Sequence, residues 1–158
     1  MADQEKVHIK LGLSGTYWDK KPQYRISFND QVLKEDVISA ASTEIEYLEF
    51  DVDYTTDTGS LKVELLNKTP EDTKKDNYTD PDNFIIVADM LLNIVSLEID
   101  EIDLGPIPYM NGVYTTKVPV VYNGTPTQTI KECMNLGWNG AWTLTWTNPF
   151  YLWLLETM

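Results

Sequence analysis

The chain has 158 residues, of which 42% are hydrophobic and 23% are charged, as is typical of one globular domain and not of a disordered chain. Its 25 acidic and 12 basic residues give a formal net charge of −13. Because nucleic-acid phosphates and anionic membranes are bound by clustered Lys and Arg, this charge argues against both as partners.

The N-terminal stretch "MADQEKVHIK" lacks the apolar core of a signal peptide, and the longest apolar run, "FYLWLL" at 150–155, is too short to cross a bilayer. A single cysteine, Cys133, fits a reducing compartment. We therefore expect a protein made in the cytoplasm without a signal peptide. Residues 1–6 are predicted to be a flexible N-terminus, and residues 7–158 to be a single domain.

Alternation of apolar and polar residues, which indicates strands with one buried face, dominates the first half of the chain. It begins with "VHIKLGL" at residue 7 and recurs in "YRISF" at residue 24, "LEFDVDY" at residue 48 and "LKVEL" at residue 61. Residues 34–44 are the one stretch that indicates a helical turn.

The second half continues in the same way. "FIIV" at residue 84 is a short buried run, and "VSLEIDEIDL" at residue 95 predicts a bulge between Ile99 and Ile102, where the apolar phase shifts. Pro119 places "VYTTKVPVVY" at a sheet edge. In "AWTLTWT", Trp142 and Trp146 share one face, which we predict to be core. About nine strands joined by turns predict an all-β, single-domain antiparallel β-sandwich of jelly-roll type.

One loop, residues 67–89, concentrates oxygen-bearing side chains. Calcium takes six to eight such ligands from irregular loops, although the spacing here is not that of an EF-hand. The alternative is a solvated hairpin loop whose own lysines neutralise its acids, and the composition leaves both interpretations open. The oxygen-bearing residues are Asn67, Asp72, Asp76, Asp80, Asp82, Asn83 and Asp89, and the lysines are Lys68, Lys74 and Lys75.

Tyr17 and Trp18 lie in the polar loop "TYWDKKPQY", where flat rings are able to stack on the apolar faces of sugars. Packing into the core is the competing interpretation. Catalysis has little support, because His8 is the only histidine and no second one is present to activate Cys133. We therefore predict that the protein is not an enzyme.

The closing segment "FYLWLL" has apolar residues on both alternate faces. Such a segment must be buried within the fold or against another subunit. A homo-oligomer is therefore expected.

The run from "LGLSGTYWDKKPQYRISFND" through "LKVELLNKTPEDT" to "ADMLLNIVSLEIDEIDLG", roughly residues 8–105, resembles calcium-dependent carbohydrate-binding modules of the xylan-binding kind. The resemblance implies a β-jelly roll that holds calcium in the loop ending at Asp89. The Arg-Asn pair that usually follows this aspartate is replaced by Met90 and Leu91. By position, the implied metal ligands are Asn67, Asp72, Asp76 and Asp89, and the implied sugar-contacting residues are Tyr17, Trp18, Asp80 and Asp82.

The segment "LGWNGAWTLTWTNPFYLWLLE" is similar to the ends of small proteins from tailed phages. The sequence thus predicts a non-enzymatic, calcium-dependent carbohydrate-binding module that serves as a phage virion or accessory protein. Its partners would be a polysaccharide or host-surface glycan and other virion proteins. The alternative is a purely structural phage protein (capsid decoration, cement or tail component) without glycan or metal binding. A third class, an inhibitor that presents its acidic face to a basic host protein, is consistent with the charge alone.

Overall fold

A computed structural model describes residues 5–76, 85–122 and 124–158 of the chain. These residues form thirteen strands, two short helices and a 3₁₀ turn at Pro70–Asp72. The helices are α1 (Ile107–Asn111) and α2 (Phe150–Thr157). The strands are β1 (Glu5–Thr16), β2 (Gln23–Phe28), β3 (Gln31–Val37), β4 (Ile45–Tyr54), β5 (Thr58–Leu65), β6 (Lys74–Asp76), β7 (Ile85–Ala88), β8 (Leu91–Ile99), β9 (Ile102–Asp103), β10 (Val113–Tyr122), β11 (Thr125–Lys131), β12 (Asn135–Leu136) and β13 (Gly140–Thr147).

The strands build two main antiparallel sheets and one small one. The first sheet has the order β12-β8-β1-β4, with β9 added to β8, and the second has the order β11-β10-β13-β5-β2-β3. Strands β6 and β7 pair separately as a two-stranded ribbon. The predicted all-β antiparallel sandwich is confirmed.

The core lies between the two main sheets and consists of the residues that alternation assigned to it. Val7, Ile9, Leu11 and Leu13 of β1 are all buried, as are the inward residues of β2, β4, β5 and β13 except Phe50, which is partly buried. Each large apolar side chain buried in this way contributes about 1.5–3 kcal/mol through the hydrophobic effect. The predicted core positions of Trp142 and Trp146 are confirmed.

Two predictions of local structure, one in each main sheet, are wrong. Residues 34–44 form no helical turn: β3 runs to Val37 as an edge strand on β2, where neither face is buried and alternation is weak. The phase shift between Ile99 and Ile102 is a tight hairpin and not a bulge, because those two residues pair across a turn. Asp100 and Glu101 form this turn with φ of 52° and 68°, the left-handed values that two-residue hairpins use.

Two further predictions near the C-terminus are corrected by the structure. β10 is an inner strand over residues 113–115, which pair with both β11 and β13, and it is an edge only over residues 120–122, which pair with β11 alone. Pro119 lies where the register with β11 shifts, so its missing N–H is tolerated there. The closing apolar segment is the helix α2 and not a strand. Phe150 and Leu154, four residues apart on one helical face, are its buried residues.

Within the predicted flexible segment 1–6, residues 1–4 lie outside the described residues, and β1 begins at Glu5, which pairs with Tyr54. Neither α1 nor α2 has the length or apolar character needed to cross a bilayer, and the described residues contain no other α-helix.

Candidate functional site

A groove runs across one end of the sandwich, where β5 ends and β13 begins at the paired residues Leu65 and Gly140. It consists of two adjoining cavities of about 470 Å³ and 660 Å³. We call it the Trp138 groove, because that indole lies in the wall common to both. The shared wall is formed by Lys68, Pro70, Thr73, Gly137 and Trp138; Lys117 and Asn139 line only the first cavity, and Lys75 and Asp89 line only the second.

Two loops that form the groove are joined by the side-chain amide of Asn139. The backbone N–H of Lys68 donates to Asn139 Oδ1 at 2.8 Å, and Asn139 Nδ2 donates back to the Lys68 carbonyl at 2.8 Å. The backbone N–H of Lys117 adds a bond to the Asn139 carbonyl at 3.0 Å. Asn139 therefore fixes three segments relative to one another: its side-chain amide joins the loop after β5 to the loop before β13, and its backbone carbonyl holds the middle of β10.

The backbone of Trp138 is held in position by Tyr114, whose side chain is fully buried. The Tyr114 hydroxyl accepts a hydrogen bond from the Trp138 backbone N–H at 2.9 Å and donates to the Trp138 carbonyl. Burial raises the pKa of Tyr114, so the phenol stays protonated and keeps its donor. Trp138 is thereby held half-buried, packed on the core and lining the groove.

An ion pair between Lys68 and Asp89 lies in the groove. Lys68 Nζ is 2.8 Å from Asp89 Oδ1 and also donates to the Gly137 carbonyl at 2.7 Å. The same carboxylate oxygen accepts bonds from the Thr73 hydroxyl at 2.7 Å and from the Met90 backbone N–H at 2.8 Å. The Lys68 side chain is 11% exposed and that of Asp89 is 23% exposed, so the pair is largely removed from water.

Asp72, a second predicted metal ligand, is buried on the other side of the same loop. Its Oδ2 accepts bonds from the Thr69 backbone N–H at 2.7 Å and from Lys20 Nζ at 3.1 Å. Burial by itself raises the pKa of Asp72, but the bonds from Thr69 and Lys20 outweigh it and the net shift is downward. Asp72 therefore stays ionised and bonds back to the backbone of Thr69, the N-cap of the 3₁₀ turn, in a capping box.

Asn67, predicted as a third ligand, joins the loop to the start of β2. Its Oδ1 accepts a bond from the Gln23 backbone N–H at 2.8 Å, and its Nδ2 donates to the Lys21 carbonyl at 3.0 Å. The amide thus has one protein partner at each end.

The three described donors, Asn67, Asp72 and Asp89, are therefore each hydrogen-bonded within the protein. Asp72 and Asp89 are each paired with a different lysine. Within residues 5–76, 85–122 and 124–158, no three His, Cys, Asp or Glu side chains lie close enough together to hold a metal ion. The side chain of Asp76, and Asp80 and Asp82 entirely, lie outside what the structure describes, so calcium binding by this loop stays a prediction.

The predicted sugar-binding aromatics lie apart from the Trp138 groove. Trp18 is 47% exposed, and its Nε1 donates to the Asp72 carbonyl at 2.9 Å, while Lys74 Nζ is 5.7 Å from its ring centre. The Tyr17 hydroxyl donates to the Ala40 carbonyl at 3.0 Å. Neither lines the groove cavities. Their role as ligand-contacting residues stays a prediction.

The groove itself was missed by sequence reasoning. Trp138 lies an even number of positions before Trp142 and Trp146, so in a continuous strand it would share their face and lie in the core with them. The strand begins only at Gly140. The available signal was the turn dipeptide formed by Asn139 and Gly140, which separates Trp138 from the strand.

The two candidate catalytic side chains are separate from each other. His8, on the outer face of β1, has its Nδ1 2.8 Å from Asp51 and its Nε2 3.0 Å from Glu49. Hydrogen bonds from the His8 ring to Asp51, and then to Glu49, raise the pKa of His8. Cys133 lines the second cavity of the groove, and burial raises the pKa of its thiol, which favours the unreactive protonated form.

No protein-family model matches the chain, and no curated protein matches its sequence. Among solved structures, the fold is similar to that of vCBM60 in complex with galactobiose, with a TM-score of 0.54 and 11% identity over 87% of this chain and 96% of that one. A selenomethionine form of vCBM60, linked by circular permutation to calcium-dependent carbohydrate-binding modules, gives a TM-score of 0.52 and 12% identity over 87% and 89% of the two chains. The predicted resemblance to carbohydrate-binding modules is therefore confirmed for the fold, an all-β sandwich of their jelly-roll type.

Proposed function

We propose that this protein is a non-enzymatic carbohydrate-binding module that holds a glycan in the Trp138 groove. The observation that carries the proposal is the position of Trp138, a half-buried indole between two adjoining cavities whose walls also contain charged hydrogen-bonding groups. An indole face packs on the apolar C–H face of a sugar ring, while ammonium and carboxylate groups bond its hydroxyls. The fold likeness to a galactobiose-binding module supports the same assignment.

The groove is preorganised for such a ligand. Asn139 and Tyr114 fix the loops and the Trp138 backbone through hydrogen bonds within the protein. These loops therefore need little further ordering when a ligand binds. The modest free energy of contacts with well-hydrated sugar hydroxyls then goes mainly into affinity.

Titration calorimetry against a glycan panel that includes galactobiose tests the proposal. Trp138→Ala should weaken binding by about tenfold or more, the effect expected for removing a central aromatic anchor. Trp138→Phe should retain part of the affinity. Trp18→Ala is the matched control, since that ring lies outside the groove, and it should bind as the wild type does.

The opposite pattern, with Trp18→Ala losing affinity and Trp138→Ala retaining it, would assign the sugar to the loop predicted from sequence. A wild-type protein that binds no glycan of the panel would refute carbohydrate binding altogether.

Calcium dependence is a separate part of the proposal, supported by the sequence resemblance and by the family to which vCBM60 is linked. The glycan contacts above do not require a metal, because Lys68 and Lys20 already pair with Asp89 and Asp72. A bound ion well above its dissociation constant should raise stability by about 2–4 kcal/mol. Melting curves with calcium and with a chelator test this: coincident curves would refute a calcium site and leave the groove proposal intact.

We also propose, from the C-terminal sequence similarity, that the protein is a component or accessory of a phage virion and is made in the host cytoplasm. Antibody labelling of purified virions tests this placement.

A purely structural virion role is the second candidate, and a specific feature favours it. Helix α2 carries exposed apolar side chains on its outer face, and such patches commonly mark protein interfaces. These residues are Tyr151, Leu152, Leu155 and Met158. A homo-oligomer that α2 holds together, without glycan binding, would favour this role.

A further inference from the structure

We propose that the Trp138 groove binds a glycan chain of several sugars, and that this chain continues into a depression on the outer face of the second sheet; this inference rests on the proposed function. We call the depression the β13 trough. It has a volume of about 370 Å³ and crosses strands β11, β10, β13 and β5. The residues of its lining that matter here are all described: Glu64, Thr115, Gln128, Ala141 and Thr143.

The trough forms because a small side chain lies in the middle of one row of the sheet. On β13, Trp142 and Leu144 are buried in the core, so Ala141 and Thr143 lie on the outer face. Ala141 pairs with Thr115 of β10 on one side and with Glu64 of β5 on the other. The methyl group of the alanine is shorter than both neighbours, which leaves a depression between them.

The trough is continuous with the first cavity of the Trp138 groove, because both are bordered by Thr116 and Lys117. These two residues lie where the register between β10 and β11 shifts. Gln128 Nε2 donates to the carbonyls of Thr116 at 3.1 Å and of Lys117 at 3.2 Å, which fixes this shared wall. A chain that leaves Trp138 through the first cavity therefore reaches the trough across one fixed wall.

The chemistry of the trough suits further sugars of a chain that is already anchored. The hydroxyls of Thr115 and Thr143 make no hydrogen bond within the described part of the chain, whereas the Thr116 hydroxyl donates to the Val118 carbonyl at 2.7 Å. Gln128 uses its Nε2 for the wall, so its Oε1 is left as an acceptor. None of the described residues that line the trough is aromatic, so it offers hydrogen bonds to sugar hydroxyls but no ring on which to anchor one.

The size of the cavities also favours a chain. The first cavity of the groove, about 470 Å³, and the trough, about 370 Å³, each fall in the range that holds one small ligand, about 300–1,000 Å³. A ligand that fills both is therefore longer than one that fills the groove cavity alone.

Titration calorimetry with oligosaccharides of increasing length tests the inference. We would use galacto-, xylo- and cello-oligosaccharides, each from the disaccharide to the hexasaccharide. Each added hydrogen bond contributes about two- to tenfold in affinity, so in a series that binds, the hexasaccharide should bind about tenfold or more tighter than the disaccharide, with one chain per protein. Part of this gain is statistical, because a longer chain offers more units to Trp138.

Variants of the trough separate the statistical part from the contacts. Ala141→Tyr fills the trough with a residue that strands favour, and it should lower the ratio of hexasaccharide to disaccharide affinity by about fivefold or more. Thr145→Tyr places the same ring on the same face of β13 but outside the trough, and it should keep the wild-type ratio. Thr143→Val, which removes one hydroxyl and keeps the shape, should lower the ratio by about two- to tenfold, and it decides the matter if Ala141→Tyr does not fold.

Three outcomes overturn the inference. A hexasaccharide whose advantage over the disaccharide is absent, or is the same in wild type, Ala141→Tyr and Thr143→Val, refutes the trough and leaves the proposed function standing. Two hexasaccharide chains bound per protein would show that the trough is a separate site and not a continuation of the groove. Absence of binding by every member of the three series refutes the inference and the proposed function together.

Discussion

Replacing Lys68 with methionine tests whether Asp89 is neutralised by the Lys68 ammonium group or by a bound cation. Methionine keeps the apolar length of the lysine stem but removes the ammonium group. Asp89 then loses its ion-pair partner at 2.8 Å, and the Gly137 carbonyl loses its hydrogen bond at 2.7 Å.

The cost of this change follows from the exposure of the pair. Breaking a fully buried ion pair by removing one partner costs about 3–5 kcal/mol, whereas a surface pair is worth about 1 kcal/mol or less. The side chains of Lys68 and Asp89 are 11% and 23% exposed, and Asp89 keeps the bonds from Thr73 and Met90. We therefore expect Lys68→Met to destabilise the protein by about 2–3 kcal/mol, or about 4–12 °C in melting temperature for a domain of this size.

Urea unfolding and thermal melts in the presence of a chelator measure this cost. The control is Lys62→Met, which removes an exposed pair with Asp30 at 3.8 Å and should cost no more than about 0.5 kcal/mol. A double-mutant cycle with Asp89→Asn should give a coupling energy of about 1–3 kcal/mol between Lys68 and Asp89.

The reasoning is refuted if Lys68→Met is as harmless as Lys62→Met. It is also refuted if Lys68→Met is neutral when calcium is present, because Asp89 would then have a metal partner and not an ammonium partner in solution.

Three other predictions concern separate parts of the molecule. Tyr114→Phe removes two hydrogen bonds to the Trp138 backbone and should cost about 1–2 kcal/mol in urea unfolding and weaken glycan binding severalfold; unchanged affinity would contradict a positioning role. The pKa of His8 is raised above 6.5 by its two carboxylate partners, so their contribution to stability is complete below that pH and is lost as the pH rises through the folded-state pKa. His8→Gln should remove this part of the pH dependence of urea unfolding. A variant whose stability changes with pH as that of the wild type does would exclude this contribution of His8. Leu155, 70% exposed on α2, should tolerate Leu155→Glu without loss of stability, while any oligomer measured by light scattering should dissociate.

The fold was predictable because the core residues of a β-sandwich recur at every second position of each strand. Val7 to Leu13 and Trp142 to Trp146 show this plainly, and all of the apolar residues at these alternating positions are buried. The errors fall where other interactions override the period. Edge strand β3 has no buried face of its own. Asp100 and Glu101 adopt left-handed backbone conformations, which composition alone does not predict. The α2 segment reads as a strand only when its Leu-rich content and the preceding Pro149 are given too little weight.

The site was less predictable, because the residues that hold a loop in its conformation lie far from it in sequence. Counting acids found Asp72 and Asp89, but their partners Lys20 and Lys68 are 52 and 21 residues away. The bond between Lys68 and Asn139 spans 71 residues. Periodicity carries no information about such contacts, and only the folded arrangement brings them together.

Charge pairing explains how two carboxylates of this loop, those of Asp72 and Asp89, are accommodated largely out of water. Were Asp72 and Asp89 left unpaired, their charges would repel any anion near Trp138 and would favour a bound cation instead. Lys20 and Lys68 neutralise them from within the protein, and one of these pairs lies in the groove wall. A ligand at Asp89 therefore meets a carboxylate that already has an ammonium partner, so this pair offers hydrogen bonds and little net charge. The field that a ligand meets in the groove is thus set by the charges that lie close to it, and not by the net charge of the chain.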